Sequence, residues 1–214
     1  WAAAGKFGVS RRRHRLAVRA AFAAQDIFRK KVLGAGKAAL KKLEETGEAG
    51  IILAGRPYNI MDGEINLGVP EKLRSYYGAN VIPLFFLPLE GVDLPKSGRG
   101  VFWSYGRKIL QAAALSDSRE NLHLIYMTNF KCGPDSYIKH FCNEASQSPW
   151  LILQFDAHGN DAGMMTRCEA YLDSKGVLRW WKKKSGPSGE GLCTFQECPP
   201  EEPKLSRQRS GTWG

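Results

Sequence analysis

The sequence has 214 residues, a formal net charge of +10, an ordinary balance of 43% hydrophobic and 24% charged residues, and five cysteines. This composition excludes wholesale disorder, collagen-like and coiled-coil chains and a disulfide scaffold, and no apolar run approaches the roughly 18 residues that cross a bilayer. An odd, sparse cysteine count without framework spacing points to free thiols in a reducing compartment.

In chain order, the first segment is basic. Residues 1–50 hold 12 Lys/Arg and 4 Asp/Glu, residues 51–174 hold 11 and 13, and residues 175–214 hold 8 and 4. Excess charge at the ends and a near-neutral middle argue against a specific nucleic-acid binder, which concentrates basic residues on its folded binding face. Arg11, Arg12, Arg13 and Arg15 have the chemistry to touch phosphate or an anionic membrane surface, but a solvated flanking segment accounts for them more simply. Residues 1–15 lack the apolar core of a secretory signal. A fragment boundary explains the absence of an initiating Met at least as well as a transit peptide does.

Apolar spacing predicts a helix from Leu16 to about Lys42, interrupted near Gly34 and Gly36 and stopped at Gly47. Ile51–Ala54 reads as a buried strand, Pro70–Tyr77 as a helix and Asn80–Leu87 as a second strand. After a Pro/Gly-rich loop, Val101–Leu115 reads as helix, Leu122–Thr128 as strand, Ser136–Ala145 as helix, Trp150–Phe155 as strand and Gly163–Leu172 as helix. Alternating strands and helices predict an α/β, Rossmann-like fold with a mostly parallel sheet. The expected organisation is a basic flank over 1–15, one α/β domain over 16–174, and a linker or disordered tail over 175–214.

Ligands in such sheets bind beyond the carboxyl ends of the strands. Three of the four predicted strands are followed by polar, Gly-containing loops: Gly55-Arg56-Pro57-Tyr58-Asn59, Asn129-Phe130-Lys131-Cys132-Gly133-Pro134-Asp135-Ser136, and Asp156-Ala157-His158-Gly159-Asn160-Asp161. Arg56 offers a guanidinium suited to phosphate or carboxylate, or else pairs with a structural acid. Cys132 precedes a predicted helix start, where a thiolate is favoured, and thiolates ligate iron–sulfur clusters or act as nucleophiles. The plainer reading is a buried, inert thiol with Asp135 or Ser136 as an N-cap. His158 suits a metal ligand, a general base or an orienting group, or a simple surface residue. No Gly-x-Gly-x-x-Gly or Walker A loop occurs.

The runs Gly55–Asn59, Ile65–Pro70, Trp103–Leu110, Thr128–Tyr137 and Thr166–Ala170 together resemble one family. It is the domain of large proteins known as CoA-substrate-specific enzyme activases, related to 2-hydroxyacyl-CoA dehydratase subunits and double-cubane cluster proteins. The resemblance covers about Ala20 to Ser174. It implies a cytoplasmic, anaerobe-type system in which an ATP-dependent activator domain or subunit passes electrons to an iron–sulfur partner, with acyl-CoA dehydratase subunits as further partners. On this resemblance Cys132 is the candidate ligand of a [4Fe-4S] or double-cubane cluster. Further thiolates would come from outside the chain or, less readily, from Cys142 and Cys168. Arg56, Asn59, Asn129, Asp135, Ser136 and His158 are the candidate cofactor-binding residues. The family's Asp-Glu-His-Ser loop reads Asp156-Ala157-His158-Gly159 here. The expected function is iron–sulfur electron transfer, with the chain an inactive fragment if its partner domains are missing; the alternative is a docking domain without a cluster. Hydrolysis by Cys132 and His158 is a third reading.

Overall fold

The computed structural model describes residues 2–178 apart from Pro95 and His158. Its centre is a four-stranded, all-parallel sheet in the order β2-β1-β3-β4, with β1 Gly50–Gly55, β2 Asn80–Pro83, β3 Leu122–Asn129 and β4 Leu151–Phe155. Ile52 lies opposite Ile82 on one side and Leu124 on the other, and Met127 lies opposite Leu153. The expected Rossmann-like α/β class is what the chain adopts.

The strands are apolar because the sheet is covered on both faces. Ile51, Ile52, Leu53 and Ala54 of β1 and Ile125, Tyr126 and Met127 of β3 are fully buried. Helices α6 (Ser104–Asp117) and α7 (Gly133–Ala145) pack together, and α6 also packs on β1 and β3. Helix α5 (Val69–Tyr77) packs on β2 and meets α8 (Ala162–Ser174), which packs on β4. Helices α6 and α7 approach closely at Gly106, where a Cβ would lie 2.7 Å from the Ile138 side chain and 3.0 Å from Val101.

Several boundaries differ from expectation. The first long helix is continuous from Arg11 to Thr46 (α2), with Ser10 as its N-cap and Gly47 in the left-handed conformation at its end. Gly36 does not interrupt it. The helix passes so close to the chain after β2 that a Cβ at Gly36 would sit 1.8 Å from the Phe86 carbonyl oxygen. This is a glycine chosen for contact, not for bending. Strand β2 stops at Pro83, after which Leu84–Phe86 form a 3-10 turn; a proline has no N–H to continue a ladder. Helix α6 begins at Ser104, not Val101. Between β1 and α5 the chain forms two short helices, α3 (Pro57–Met61) and α4 (Gly63–Asn66), where no element was expected. A short helix α1 (Ala2–Lys6) precedes α2. Among the described residues no helix is long and apolar enough to cross a membrane. The tail beyond Leu178, with Cys193 and Cys198, lies outside the described residues.

Candidate functional site

The chain leaves β1 toward β2 in one direction and returns to place β3 on the other side of β1. The strand order therefore reverses between β1 and β3. In open α/β sheets this reversal opens a crevice beyond the carboxyl ends of the two strands. The loops after β1 and β3 carry Arg56 and Cys132, so the fold delivers two of the expected residues to the same place.

The loop after β1 turns at Gly55, whose φ is 153° and where a Cβ would lie 2.5 Å from the Met127 carbonyl oxygen. Only glycine lets β1 end so close to β3. Arg56 then caps α3, with Pro57 at its first turn. Its guanidinium reaches across the crevice, Nη2 donating to Asp135 Oδ1 at 3.0 Å. Asp135 is buried in the first turn of α7, where the helix dipole favours a carboxylate. Its second oxygen accepts from the Thr128 hydroxyl at 2.6 Å. Burial lowers the Arg56 pKa, but the charge and hydrogen bond of Asp135 outweigh it, so the guanidinium is held above its ordinary value. Asp135 is therefore an ion-pair partner and not an N-cap. The Tyr126 hydroxyl beneath is pushed well above its usual range, by burial first and then by the Asp135 charge.

Cys132 occupies the N-cap position of α7 but makes no side-chain capping bond. Its N–H donates to the Asn129 carbonyl at 3.2 Å, and its carbonyl accepts from the Ser136 N–H at 2.9 Å. The preceding Lys131 adopts a left-handed φ of 59°, which swings the chain from the strand into the helix. The thiol is half-buried and not, as in the plainer reading, buried. It lies within electrostatic reach of Arg56 and Tyr58. Burial raises the Tyr58 pKa, while the Arg56 charge opposes that rise.

The other expected residues are placed unequally. Ser136 is exposed on the first turn of α7, and Asn129 is half-buried at the end of β3. Asn59 is fully buried; its amide donates to the Met127 carbonyl at 3.5 Å, and its Oδ1 has no hydrogen-bond partner among the described residues. His158 lies outside the described residues. Asp161, from the same loop, accepts from Lys72 Nζ at 2.5 Å and joins the loop to α5.

Cys142 and Cys168 are the corrections. Both are fully buried in the core, and burial pushes each thiol up to about 12. Neither presents a thiolate to a ligand. Among the described residues no group of three or more His, Cys, Asp or Glu is disposed to hold a metal. A [4Fe-4S] cluster usually takes four cysteines. The described residues thus fit one ligand of such a group and do not fit a cluster held by them alone.

Sequence reasoning missed the aromatic surroundings. Phe102 is 85% exposed and Phe130 57%, and the exposed rings of Trp103 and Tyr137 meet edge to face at 6.0 Å. Trp103 and Tyr137 stand in two of the quoted motifs, but only the packing of α6 against α7 brings them together.

The fold and this crevice define an α/β domain with a thiol, an arginine and exposed aromatic rings at its switch point. Residues 1–86 match the family model of the CoA enzyme activase uncharacterised domain (DUF2229), so over this stretch the chain is similar to a CoA enzyme activase-related domain. The match reaches from α1 through the turn after β2 and includes Arg56 and Asn59; it ends short of Cys132. No match was found among curated proteins or solved structures.

Proposed function

We propose that this chain is an iron–sulfur electron-transfer component of a cytoplasmic CoA enzyme activase or 2-hydroxyacyl-CoA dehydratase type of system, in which Cys132 supplies a single thiolate and the remaining ligands come from outside the described residues. The observation that carries the reading is the half-buried thiol at the N-terminus of α7, beside Arg56 and at the strand-order reversal. When bound, a [4Fe-4S] or double-cubane cluster supplies one-electron chemistry. The chain's own residues position and tune. The Arg56–Asp135–Thr128 contacts fix the two loops relative to each other. Backbone amides near Gly133 at the start of α7 would tune the potential of a bound cluster by hydrogen bonds to sulfur. Asn129, Ser136 and His158 are the flanking residues assigned to the surroundings of the site. The partners are an ATP-dependent activator domain or subunit and the acyl-CoA dehydratase subunits.

The exposed rings around the loop favour a second reading, a docking domain without a cluster. One experiment separates the two. The full chain is incubated anaerobically with a synthetic [4Fe-4S] cluster bearing exchangeable thiolates, then desalted and assayed for iron, sulfide and thiolate-to-iron absorption. The iron reading expects a brown protein with iron and sulfide in equal amounts, and loss of both in Cys132→Ser. A colourless wild-type protein, or a Cys132→Ser variant that retains the colour, overturns it in favour of docking.

A further inference from the structure

Helix α2 is 36 residues long, yet its buried residues, Gly36, Leu40 and Leu43, all lie in its last third. Gly36 packs against Phe86, just past the carboxyl end of β2, whereas the Leu43 side chain packs where a Cβ of Gly50, at the amino end of β1, would lie. The helix therefore runs opposite to the strands, and its N-terminal part leaves the domain over the carboxyl edge of the sheet. Every residue from Arg15 to Lys31 is exposed. At 1.5 Å per residue, the stretch from Arg11 to Leu33 extends roughly 30 Å as an arm on the side where Cys132 emerges.

The arm is chemically lopsided. Residues 11–31 contain eight Lys/Arg and one acid, Asp26. Leu16, Ala20, Ala23 and Ile27 follow one another at spacings of four, three and four, which places them in one seam along the helix. Arg12, Arg19 and the one acid, Asp26, border that seam on one side, Ala17, Ala24 and Lys31 on the other, and Arg13 and Lys30 close its two ends, so the seam's surroundings are basic on balance. Leu16 and Ile27 are each 56% exposed. An apolar seam with basic borders is half of a helix–helix interface whose other half carries acids.

We propose that the arm of α2 docks an acidic amphipathic helix of a partner protein, held by the Leu16–Ile27 seam and by ion pairs to its basic borders. A second copy of this chain would set like charges against each other. A duplex nucleic acid would pair with the arginines but leave the seam in water. An anionic bilayer is disfavoured because Phe22 and Val18, also exposed, lie across the helix from Leu16 and Ile27, so no one orientation buries the large apolar side chains together. The inference stands on the arm alone and goes beyond the iron reading. It gives the partner a grip beside the thiol edge.

The test uses the full chain and a synthetic three-heptad peptide with Leu at a and d and Glu at e and g. Binding is followed by fluorescence anisotropy at low and high salt, alongside phosphatidylserine vesicles and duplex DNA. The expected result is peptide binding that weakens as salt rises. Leu16→Ser with Ile27→Ser weakens it by about tenfold or more, while Val18→Ser with Phe22→Ser and the separate Cys132→Ser leave it unchanged. Circular dichroism checks that each variant keeps its helix. No binding of the peptide, equal loss in both double variants, self-association of the chain, or binding to vesicles or DNA alone overturns the proposal.

Discussion

Arg56 and Asp135 lie 79 positions apart in sequence yet form the central contact of the crevice. Removing one partner of a mostly buried pair is costly because the other charge is stranded. Asp135 keeps the Thr128 hydroxyl but loses its countercharge if the guanidinium is removed. Because Arg56 is one-quarter exposed, the expected cost of Arg56→Met is discounted to about 2–3 kcal/mol, read as a lower urea midpoint with an unchanged slope. A second residue-scale effect lies at the opposite, amino edge of the sheet. There His123 is half-buried beside Lys175, and burial first, then that lysine, lower its pKa. A base whose folded pKa is depressed favours folding while neutral. Its contribution is present above the ordinary histidine value and is lost as pH falls through the lowered one. Asp117 nearby, lowered chiefly by the Ser148 N–H, acts in the same direction at more acid pH. His123→Gln is therefore expected to flatten the loss of stability below about pH 6.5, the ordinary histidine pKa, measured by thermal unfolding across a pH series.

At the scale of elements, two glycines of one helix have opposite meanings. A Cβ at Gly34 meets nothing within 4 Å, whereas one at Gly36 collides with the Phe86 carbonyl. Gly34→Ala is expected to stabilise by about 0.5–1 kcal/mol through helix propensity. Gly36→Ala is expected to destabilise by about 1–3 kcal/mol through forced separation of helix and turn. Chemical denaturation of the two variants checks both signs. Sequence alone treated these glycines alike, because propensity is local and the Phe86 contact is not. The strands were legible for the converse reason. Runs such as Ile51–Ala54 and Leu124–Met127 are apolar on every residue, as strands of a sheet covered on both faces are, and they are too short for a helix. Helices α3 and α4 were not legible, since four or five residues carry too little periodicity to be read.

For the whole molecule, the order β2-β1-β3-β4 explains why Arg56 and Cys132 share a site while Cys142 and Cys168 do not. The first two follow strand ends at the reversal. The other two lie on the inner faces of α7 and α8, where a small apolar side chain is required. The loop pattern in the sequence pointed to that edge. It held no information on the Arg56–Asp135 pairing or on the rings of Trp103 and Tyr137, because both depend on how α7 seats against its neighbours.

That seating depends on Gly106. The hydrogen atom at this position sets the gap between two helices, and α7 carries the sulfur at its tip. A single methyl group there would act as a shim, tilting α7 and changing how far the thiol stands from solvent without touching the crevice. Gly106→Ala is accordingly expected to alter the rate at which Cys132 reacts with a disulfide reagent, followed by absorbance, while Gly133→Ala, at a position where a Cβ meets nothing within 4 Å, changes it less. The reactivity of the sulfur is thus gauged from the first turn of a neighbouring helix.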